Sequence, residues 1–322
     1  MKQSITSAFE LYLSRADLRP NSVRLKKKAL EMFVRWFGDV PVEAVTPAIA
    51  EDYKAMLAGD GRSRQAANVY LANFRPFWRR LRDHGRIDVD PFAHVSMYKV
   101  DRHPPKAFEA IDLERMAKHF DLLWRVRFCL GLLGCRRGEM LNVIVREFHL
   151  ESHDSHIEIQ SKASTDKTWR WGVKTYDVRY VGLPEVMTIG DKSIFLHSDI
   201  VRLMEALPAD QPYLCLEPRY YQRMIKRHRE DRLTDQDYND PAINFNRLIR
   251  SKQKLAGISD TKRYPELRAG YVTAIAARHG IKAAADAAGI KSLQTAARYD
   301  RKNIMAIVTE SNDLMQTAYK SL

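Results

Sequence analysis

Four separated segments carry arginine, lysine and tyrosine side chains of the types that could break and rejoin a phosphodiester. The segments are residues 134–139, 162–179, 266–268 and 295–299. Arginine binds two phosphate oxygens through its planar fork and stays charged, and lysine can donate a proton when neighbouring cations lower its pKa. Tyrosine can attack phosphorus and hold the phosphate covalently. Fixed cations, a proton donor and an internal nucleophile are what cleavage without a metal ion requires.

The first segment is an arginine box. Residues 134–141 read Gly-Cys-Arg-Arg-Gly-Glu-Met-Leu and resemble the first catalytic box of the tyrosine recombinase (phage integrase) family. The resemblance implies that Arg136 is the catalytic arginine and that Glu139 is its buttress. By itself this box is only moderately specific, because two arginines at a helix start are common on protein surfaces.

Two later segments continue the same resemblance. The pair Leu267-Arg268 resembles the second arginine box and implies a catalytic role for Arg268. Residues 288–299 resemble the last box, in which Tyr299 is the nucleophile that forms a 3′-phosphotyrosyl link. The resemblance covers nearly the whole chain, and its specificity comes from the order and spacing of the boxes together.

Two lysines compete for the role of proton donor. Lys174, followed by residues 178–184, resembles the lysine, turn and closing strand of the family, and this register favours it. Lys162 follows the strand pattern at 157–159 and is the alternative, with an unusually long insert after it.

The chain departs from the family pattern at two histidine positions, where Pro265 and Ile290 stand. Lys291 is adjacent to Ile290 and is a possible substitute for the histidine missing there. Tyr264 is adjacent to Pro265 and is a possible substitute for the other histidine. Two hypotheses follow: an active site-specific recombinase, or a catalytically impaired DNA-binding protein on the same scaffold with a regulatory or architectural role. Retention of the arginines, a lysine and Tyr299 favours the first.

The elements that must position these residues are mainly α-helical, with a small antiparallel β-sheet. Apolar residues recur at helical spacing through residues 1–98, with helix starts before Val23, at Pro47 and after Ser63. We expect a helical core-binding domain there, a linker at 99–106 that contains Pro104-Pro105, and a tyrosine recombinase catalytic domain at 107–322.

Within the second domain the pattern changes near its middle. Residues 157–159, 168–171 and 178–181 alternate like short antiparallel strands. After Pro184 the pattern predicts mostly helix again, including residues 242–255 and 270–278.

Charge favours a polyanionic partner. The 322-residue chain carries a net charge of +13, and duplex DNA leads the list of partners for such a chain. One sign dominates two stretches of the first domain, which favours phosphate contact over an ordinary solvated face. The candidate DNA-binding residues are Arg24, Lys26, Lys27, Lys28, Arg62, Arg64, Arg75 and Arg79.

Composition excludes several other classes. The three cysteines are odd in number and include no C-x-x-C pair, which argues against a disulfide framework or a zinc site, and we expect no metal and no cofactor. The chain has no apolar run that could span a membrane and no signal peptide at its start, so the expected location is the cytoplasm.

The family resemblance also implies a C-shaped clamp on duplex DNA and a homo-oligomer, a tetramer in the synaptic complex.

Overall fold

The computed structural model describes residues 3–14, 18, 20–101, 107–151, 154–160, 178–189 and 191–297. The chain divides into two compact units, Met1–His103 and Pro104–Leu322. The predicted linker, 99–106, includes this boundary. None of the described helices combines the length and the hydropathy that crossing a membrane requires.

The first unit is a bundle of helices, as the apolar periodicity predicts. Two of its helices, one at Pro47 and one at Arg64, begin where the sequence supplies a local cap. The side-chain oxygen of Thr46 accepts from the amide of Ile49, and that of Ser63 accepts from the amide of Ala66, which satisfies amides at the start of a helix that lack a helical partner. The helices are α1 (Ile5–Ser14), α2 (Pro20–Phe37), α3 (Pro47–Gly59) and α4 (Arg64–Asp83), with a 3₁₀ turn at Val42–Ala44.

Aromatic side chains fill the core of this bundle. Phe9, Phe33, Phe74 and Trp78 are completely buried and form a continuous set of ring contacts, with the Phe74 and Trp78 rings perpendicular and 5.7 Å apart. Burial of each such ring contributes about 1.5–3 kcal/mol. These rings therefore hold the helices of the first unit together.

The second unit combines helices with two small antiparallel sheets. A mainly α-helical fold with a small antiparallel β-sheet is therefore confirmed. The helices are α5 (Ala110–Ala117), α6 (Leu122–Leu132), α7 (Arg137–Asn142), α8 (Leu196–Glu205), α9 (Pro218–Arg229), α10 (Asp235–Leu255), α11 (Tyr264–Ala287) and α12 (Leu293–Ala297), with a 3₁₀ turn at Val145–Glu147. The strands are β1 (Phe148–His149), β2 (His156–Ile159), β3 (Arg179–Gly182), β4 (Val186–Ile189) and β5 (Lys192–Phe195).

The first three strands form one sheet in the order β1-β2-β3. Ile157 pairs with Val181 and Ile159 with Arg179, so the predicted strands at 157–159 and 178–181 are confirmed. The third predicted strand, 168–171, lies outside the described residues.

The prediction of mostly helix after Pro184 is wrong for residues 186–195. Strands β4 and β5 form a separate antiparallel hairpin there. The residues of β4 read Val-Met-Thr-Ile, which is a short, mostly apolar run, and such a run cannot be told from a helical segment by its pattern. The hairpin forms because Ile189 and Ile194 bury their side chains in the core of this unit.

Helix α6 is the central element of the second core, and it lies directly against α11. At Gly131 on α6, an added Cβ atom would be 2.9 Å from both Leu267 Cδ1 and Tyr264 Cε2. Only a residue without a side chain allows the two helices to approach this closely. This contact brings the first and second arginine boxes together, because α7 follows α6 and Arg268 follows Leu267.

Helix α11 is interrupted before its end. Gly280 has φ of 85° and ψ of 166°, so the helix breaks there and resumes to Ala287. Gly289, with φ of +58°, then turns the chain toward α12. The turn 287–289 at this helix end contacts the arginine cluster described below.

Candidate active site

Arg136 stands at the start of α7, where a local contact orients it. The backbone amide of Arg136 donates to Oε2 of Glu139 at 2.7 Å. Glutamate three residues into a helix commonly bonds back to the amide of the capping residue in this way. The spacing of Arg136 and Glu139 therefore determines this part of the site without help from the rest of the fold.

Three guanidinium groups surround the buried carboxylate of Glu139. Arg136 pairs through Nη1 with Oε1, and Arg179 pairs through Nη2 with Oε2 at 2.6 Å. Arg268 lies farther away, with Nη1 3.8 Å from Oε2. We call these four residues the arginine cluster. The three guanidinium groups and the one carboxylate together carry a net charge of two positive units, which suits the binding of an anionic ligand.

The cluster keeps Glu139 ionised. Burial favours the neutral form, but Arg179 and Arg136, then the amide of Arg136 and finally Arg268, outweigh burial and lower the pKa of Glu139 below its ordinary value. The carboxylate is therefore negative at neutral pH and can orient the arginines around it.

The turn at the end of α11 supplies a further partner for each of the three arginines. The last carbonyl groups of a helix have no partner within the helix and carry partial negative charge. Here three consecutive carbonyl oxygens each accept from a different arginine of the cluster. The bonds are Arg179 Nη1 to Ala287 at 2.9 Å, Arg268 Nη2 to Ala288, and Arg136 Nη2 to Gly289 at 2.5 Å.

The three arginines differ in access to solvent. Arg268 is 6% exposed and Arg179 is 9% exposed, whereas 21% of the Arg136 side chain is exposed. Arg136 is therefore the member of the cluster that most readily meets a ligand from solvent.

A cleft of about 260 Å³ opens beside the cluster. Arg179 and Gly289 line it together with Ile290 and Lys291. Lys291 is exposed, so the structure places this possible histidine substitute on the same cleft as Arg179. Asp286 also lines the cleft and brings one negative charge.

The other histidine position has no such arrangement. Pro265 is exposed in the first turn of α11, and Tyr264 beside it is buried. The Tyr264 hydroxyl has no hydrogen-bond partner among the described residues, and burial raises the pKa of this phenol well above its ordinary value. Burial in the core argues against Tyr264 as the group that replaces the histidine.

The candidate DNA-binding residues of the first unit fall into two groups. Four are exposed: Lys27, Lys28, Arg64 and Arg79. The others, Arg24, Lys26, Arg62 and Arg75, are partly or fully buried. Arg62 pairs with Asp60, and Arg75 donates to the carbonyl of Val95.

Lys26 requires a correction. It is only 7% exposed, its Nζ donates to the carbonyl of Asn73 at 3.2 Å, and it lies 5.4 Å from the centre of the Tyr12 ring. The turn of the helix directs this side chain toward α4, unlike those of Lys27 and Lys28. An ammonium group held in this way is not placed to bind a DNA phosphate.

Three predicted catalytic residues, Lys162, Lys174 and Tyr299, lie outside the described residues, and their roles stay predictions. Arg179, in contrast, was not assigned a role from the sequence. One signal could have found it: β3 alternates, and Arg179 occupies an inward position with Val181, whereas Tyr180 between them is 63% exposed. A charged residue on the inward face of a strand requires a buried partner.

The described part of the chain offers no group of three His, Cys, Asp or Glu side chains that could hold a metal ion. Cys129, Cys135 and Cys215 are unpaired and buried, and burial raises the pKa of each thiol to about 12. These thiols are therefore protonated and unsuited to nucleophilic chemistry.

Comparisons with known proteins give structural likeness only. No family model matches the chain, and no curated protein is similar to it in sequence. Among solved structures, the Tn1549 transposon integrase in complex with a circular intermediate DNA has a TM-score of 0.68 at 14% identity, covering 94% of this chain and 98% of that one.

Two lambda integrase structures show the same likeness. A dimer of residues 75–356 bound to a COC′ core site has a TM-score of 0.63 at 14% identity, with 94% of this chain and 97% of that one covered. A tetramer bound to a Holliday junction has a TM-score of 0.64 at 14% identity, with 92% and 77% covered. The chain therefore has the tyrosine recombinase fold.

Proposed function

We propose that this protein is a site-specific DNA recombinase that cuts and rejoins duplex DNA through a 3′-phosphotyrosyl link at Tyr299. The observation that carries the proposal is the arginine cluster. Arg136 and Arg268 come from distant boxes, since Arg268 reaches the carbonyl of Gly134 across 134 residues. Together with Arg179 they leave a surplus of positive charge beside an open cleft.

In the proposed cleavage step, the Tyr299 hydroxyl loses its proton to solvent and its oxygen bonds to phosphorus, while the bond from phosphorus to the 5′ oxygen breaks. The leaving oxygen takes its proton from Lys174 or, alternatively, Lys162. Arg136 and Arg268 stabilise the charge that develops on the nonbridging oxygens. A guanidinium group has five N–H donors, so the bonds of Arg136 to Glu139 and Gly289 do not exhaust it.

Duplex DNA and a homo-oligomer are the proposed partners. The solved relatives are a transposon integrase on circular intermediate DNA and lambda integrase as a dimer on a core site and as a tetramer on a Holliday junction. A net charge of +13 supports a polyanionic substrate. We therefore propose a tetrameric synapse as the working assembly.

A second candidate is a DNA-binding protein of the same fold with impaired catalysis. One structural observation favours it: Arg268 is buried, and its Nη1 and Nη2 both donate to backbone carbonyls, those of Gly134 and Ala288. The replacement of two family histidines by Pro265 and Ile290 is consistent with this alternative.

Trapping of a covalent intermediate separates the two candidates. The probe is a pool of nicked duplexes with randomised sequence, from which the protein selects its own site, and adducts that survive denaturing detergent are isolated and sequenced. We expect adducts with the natural protein and with Tyr180→Phe, a matched control at an exposed tyrosine. Tyr299→Phe should bind the same duplexes and form no adduct.

Two outcomes would contradict the proposal. An adduct that persists in Tyr299→Phe would place the nucleophile elsewhere. Selective binding by the natural protein without any adduct would favour the non-catalytic DNA-binding candidate.

A further inference from the structure

Arg179 belongs to the arginine cluster but has no task in the mechanism above. It occupies an inward position on β3 and is almost completely buried. Removal of a guanidinium group from water costs free energy unless several partners compensate for it. The identity of those partners indicates what Arg179 does.

The partners of Arg179 belong to three different parts of the site. Its Nη2 donates to Oε2 of Glu139 at 2.6 Å and lies 3.4 Å from the carbonyl oxygen of Gly134. Its Nη1 donates to the carbonyl of Ala287 at 2.9 Å. One planar group therefore connects the start of α7, the turn before it and the end of α11.

The stem of Arg179 also determines how close the turn 287–289 approaches. An added Cβ at Gly289 would lie 2.7 Å from Arg179 Cδ, so the two are in close contact. The carbonyl of Gly289 is in turn the acceptor for Nη2 of Arg136. Arg136 thus has two side-chain anchors, Glu139 and Gly289, and Arg179 contacts both of them.

We propose that Arg179 is a positioning residue for strand cleavage. It orients Arg136 through the carboxylate of Glu139 on one side and through the turn 287–289 on the other, and it does not itself contact the scissile phosphate. This inference rests on the proposed recombinase function, because it assigns Arg179 a part in that reaction.

Replacement of Arg179 should cost stability mainly through one lost hydrogen bond, the one that the carbonyl of Ala287 accepts. Its Nε is buried without an acceptor among the described residues, and Glu139 retains Arg136 and Arg268 when Arg179 is replaced. Glu139 therefore stays paired in Arg179→Met, and the larger penalty of an uncompensated buried charge is not expected. Arg179→Met is therefore the informative variant.

The test measures single-turnover cleavage of the nicked duplexes selected above, together with DNA affinity and melting temperature. We expect Arg179→Met to lower the cleavage rate at saturating DNA by on the order of a hundredfold, as for a misplaced catalytic group. The half-saturating DNA concentration should stay close to that of the natural protein, and the melting temperature should fall by only a few degrees, as for one lost hydrogen bond. Arg146→Met, which removes an exposed arginine of the same unit, is the matched control and should cleave normally.

Two further variants test the route of action. Arg179→Lys keeps the charge but cannot bridge Glu139 and Ala287 at once, so we expect partial recovery of the rate. In a Glu139→Gln background the route through the carboxylate is already lost, so Arg179→Met should lower the rate by a much smaller factor than in the natural protein, because residues that act through one another are not additive.

Several outcomes would overturn the inference. Cleavage by Arg179→Met at the natural rate would overturn it, as would a loss confined to DNA affinity or a full additional loss in the Glu139→Gln background. Should Arg179→Met fail to fold, Arg179→Lys decides alone, and a natural rate in that variant overturns the proposal. Absence of adduct in the natural protein would instead refute the proposed function itself, and this inference with it.

Discussion

Gly134 lies against the ring of Tyr271. An added Cβ at Gly134 would be only 2.5 Å from Tyr271 Cδ1, and Gly134 has φ of +84°, a conformation that favours glycine. The carbonyl of the same residue accepts from Arg268 at 2.7 Å. The glycine of the first arginine box therefore allows a close contact with α11 and holds Arg268 of the second box.

Gly134→Ala should destabilise the protein. The close contact with Tyr271 and the positive φ together should cost about 1–3 kcal/mol, and cleavage should fall because the acceptor of Arg268 moves. Urea denaturation measures the first effect. Gly138→Ala is the matched control, since no atom lies within 4 Å of its added Cβ. Equal stability of the two variants would contradict the contact described here.

Arg136→Ala and Arg268→Ala should each lower the cleavage rate by on the order of a hundredfold or more, because in the proposed reaction each removes a donor that stabilises charge in the transition state. Their stabilities should differ. Arg268→Ala leaves the buried carbonyl of Ala288 without this donor, which costs about 1–3 kcal/mol, whereas Arg136 is partly exposed. Thermal unfolding and single-turnover cleavage separate the two effects, with the exposed Arg202→Ala as control.

Lys174→Ala and Lys162→Ala should differ sharply. Only one lysine can deliver a proton to the leaving oxygen, so one substitution should block cleavage and the other should change it little. A substrate with a 5′-phosphorothiolate leaving group needs no proton and should restore cleavage in the blocked variant. Normal cleavage by both variants would place the general acid elsewhere in the chain.

Glu139 should make stability depend on pH in the acid range. Its pKa in the folded protein lies below that of an unfolded glutamate, about 4.3. Its stabilising contribution is therefore fully present above about pH 4.3 and is lost as pH falls through the folded pKa. Glu139→Gln should cost on the order of 3 kcal/mol at neutral pH, and the difference from the natural protein should shrink in acid.

Urea denaturation between pH 7 and about pH 3 measures this difference. Glu114→Gln is a suitable control, because Glu114 makes only a half-exposed pair with Lys118 at 3.7 Å. If the difference in free energy of unfolding between Glu139→Gln and the natural protein stays constant with pH, the conclusion that Glu139 is an ionised, buried carboxylate is wrong.

DNA affinity should fall steeply with salt, and Lys27 and Lys28 should account for part of the slope. Each phosphate neutralised contributes a slope of about 0.9 in log affinity against log salt. The double variant Lys27→Ala/Lys28→Ala should lower the slope while circular dichroism stays unchanged. The double variant Lys118→Ala/Lys254→Ala removes the same charge from exposed sites of the other unit. An equal decrease of the slope in that variant would show that the slope depends only on net charge and not on contacts made by Lys27 and Lys28.

The sequence by itself determined the parts of the site that depend on neighbours a few residues apart. Arg136 and Glu139 are three residues apart, so the carboxylate reaches the backbone amide as soon as α7 forms. Ser63 likewise starts α4 through a bond to the amide of Ala66. Spacing and residue type are sufficient to predict such contacts, and the mainly α-helical class with a small sheet followed from the same local patterns.

Only the tertiary structure decided which distant groups meet. Arg136 reaches Gly289 across 153 residues and Arg179 reaches Ala287 across 108, and neither pair is related by any periodicity of the chain. The burial of Lys26 was decided in the same way, by a carbonyl on another helix. Contacts of this kind depend on how closely helices and strands pack, and packing is a property of the whole folded unit rather than of any segment within it.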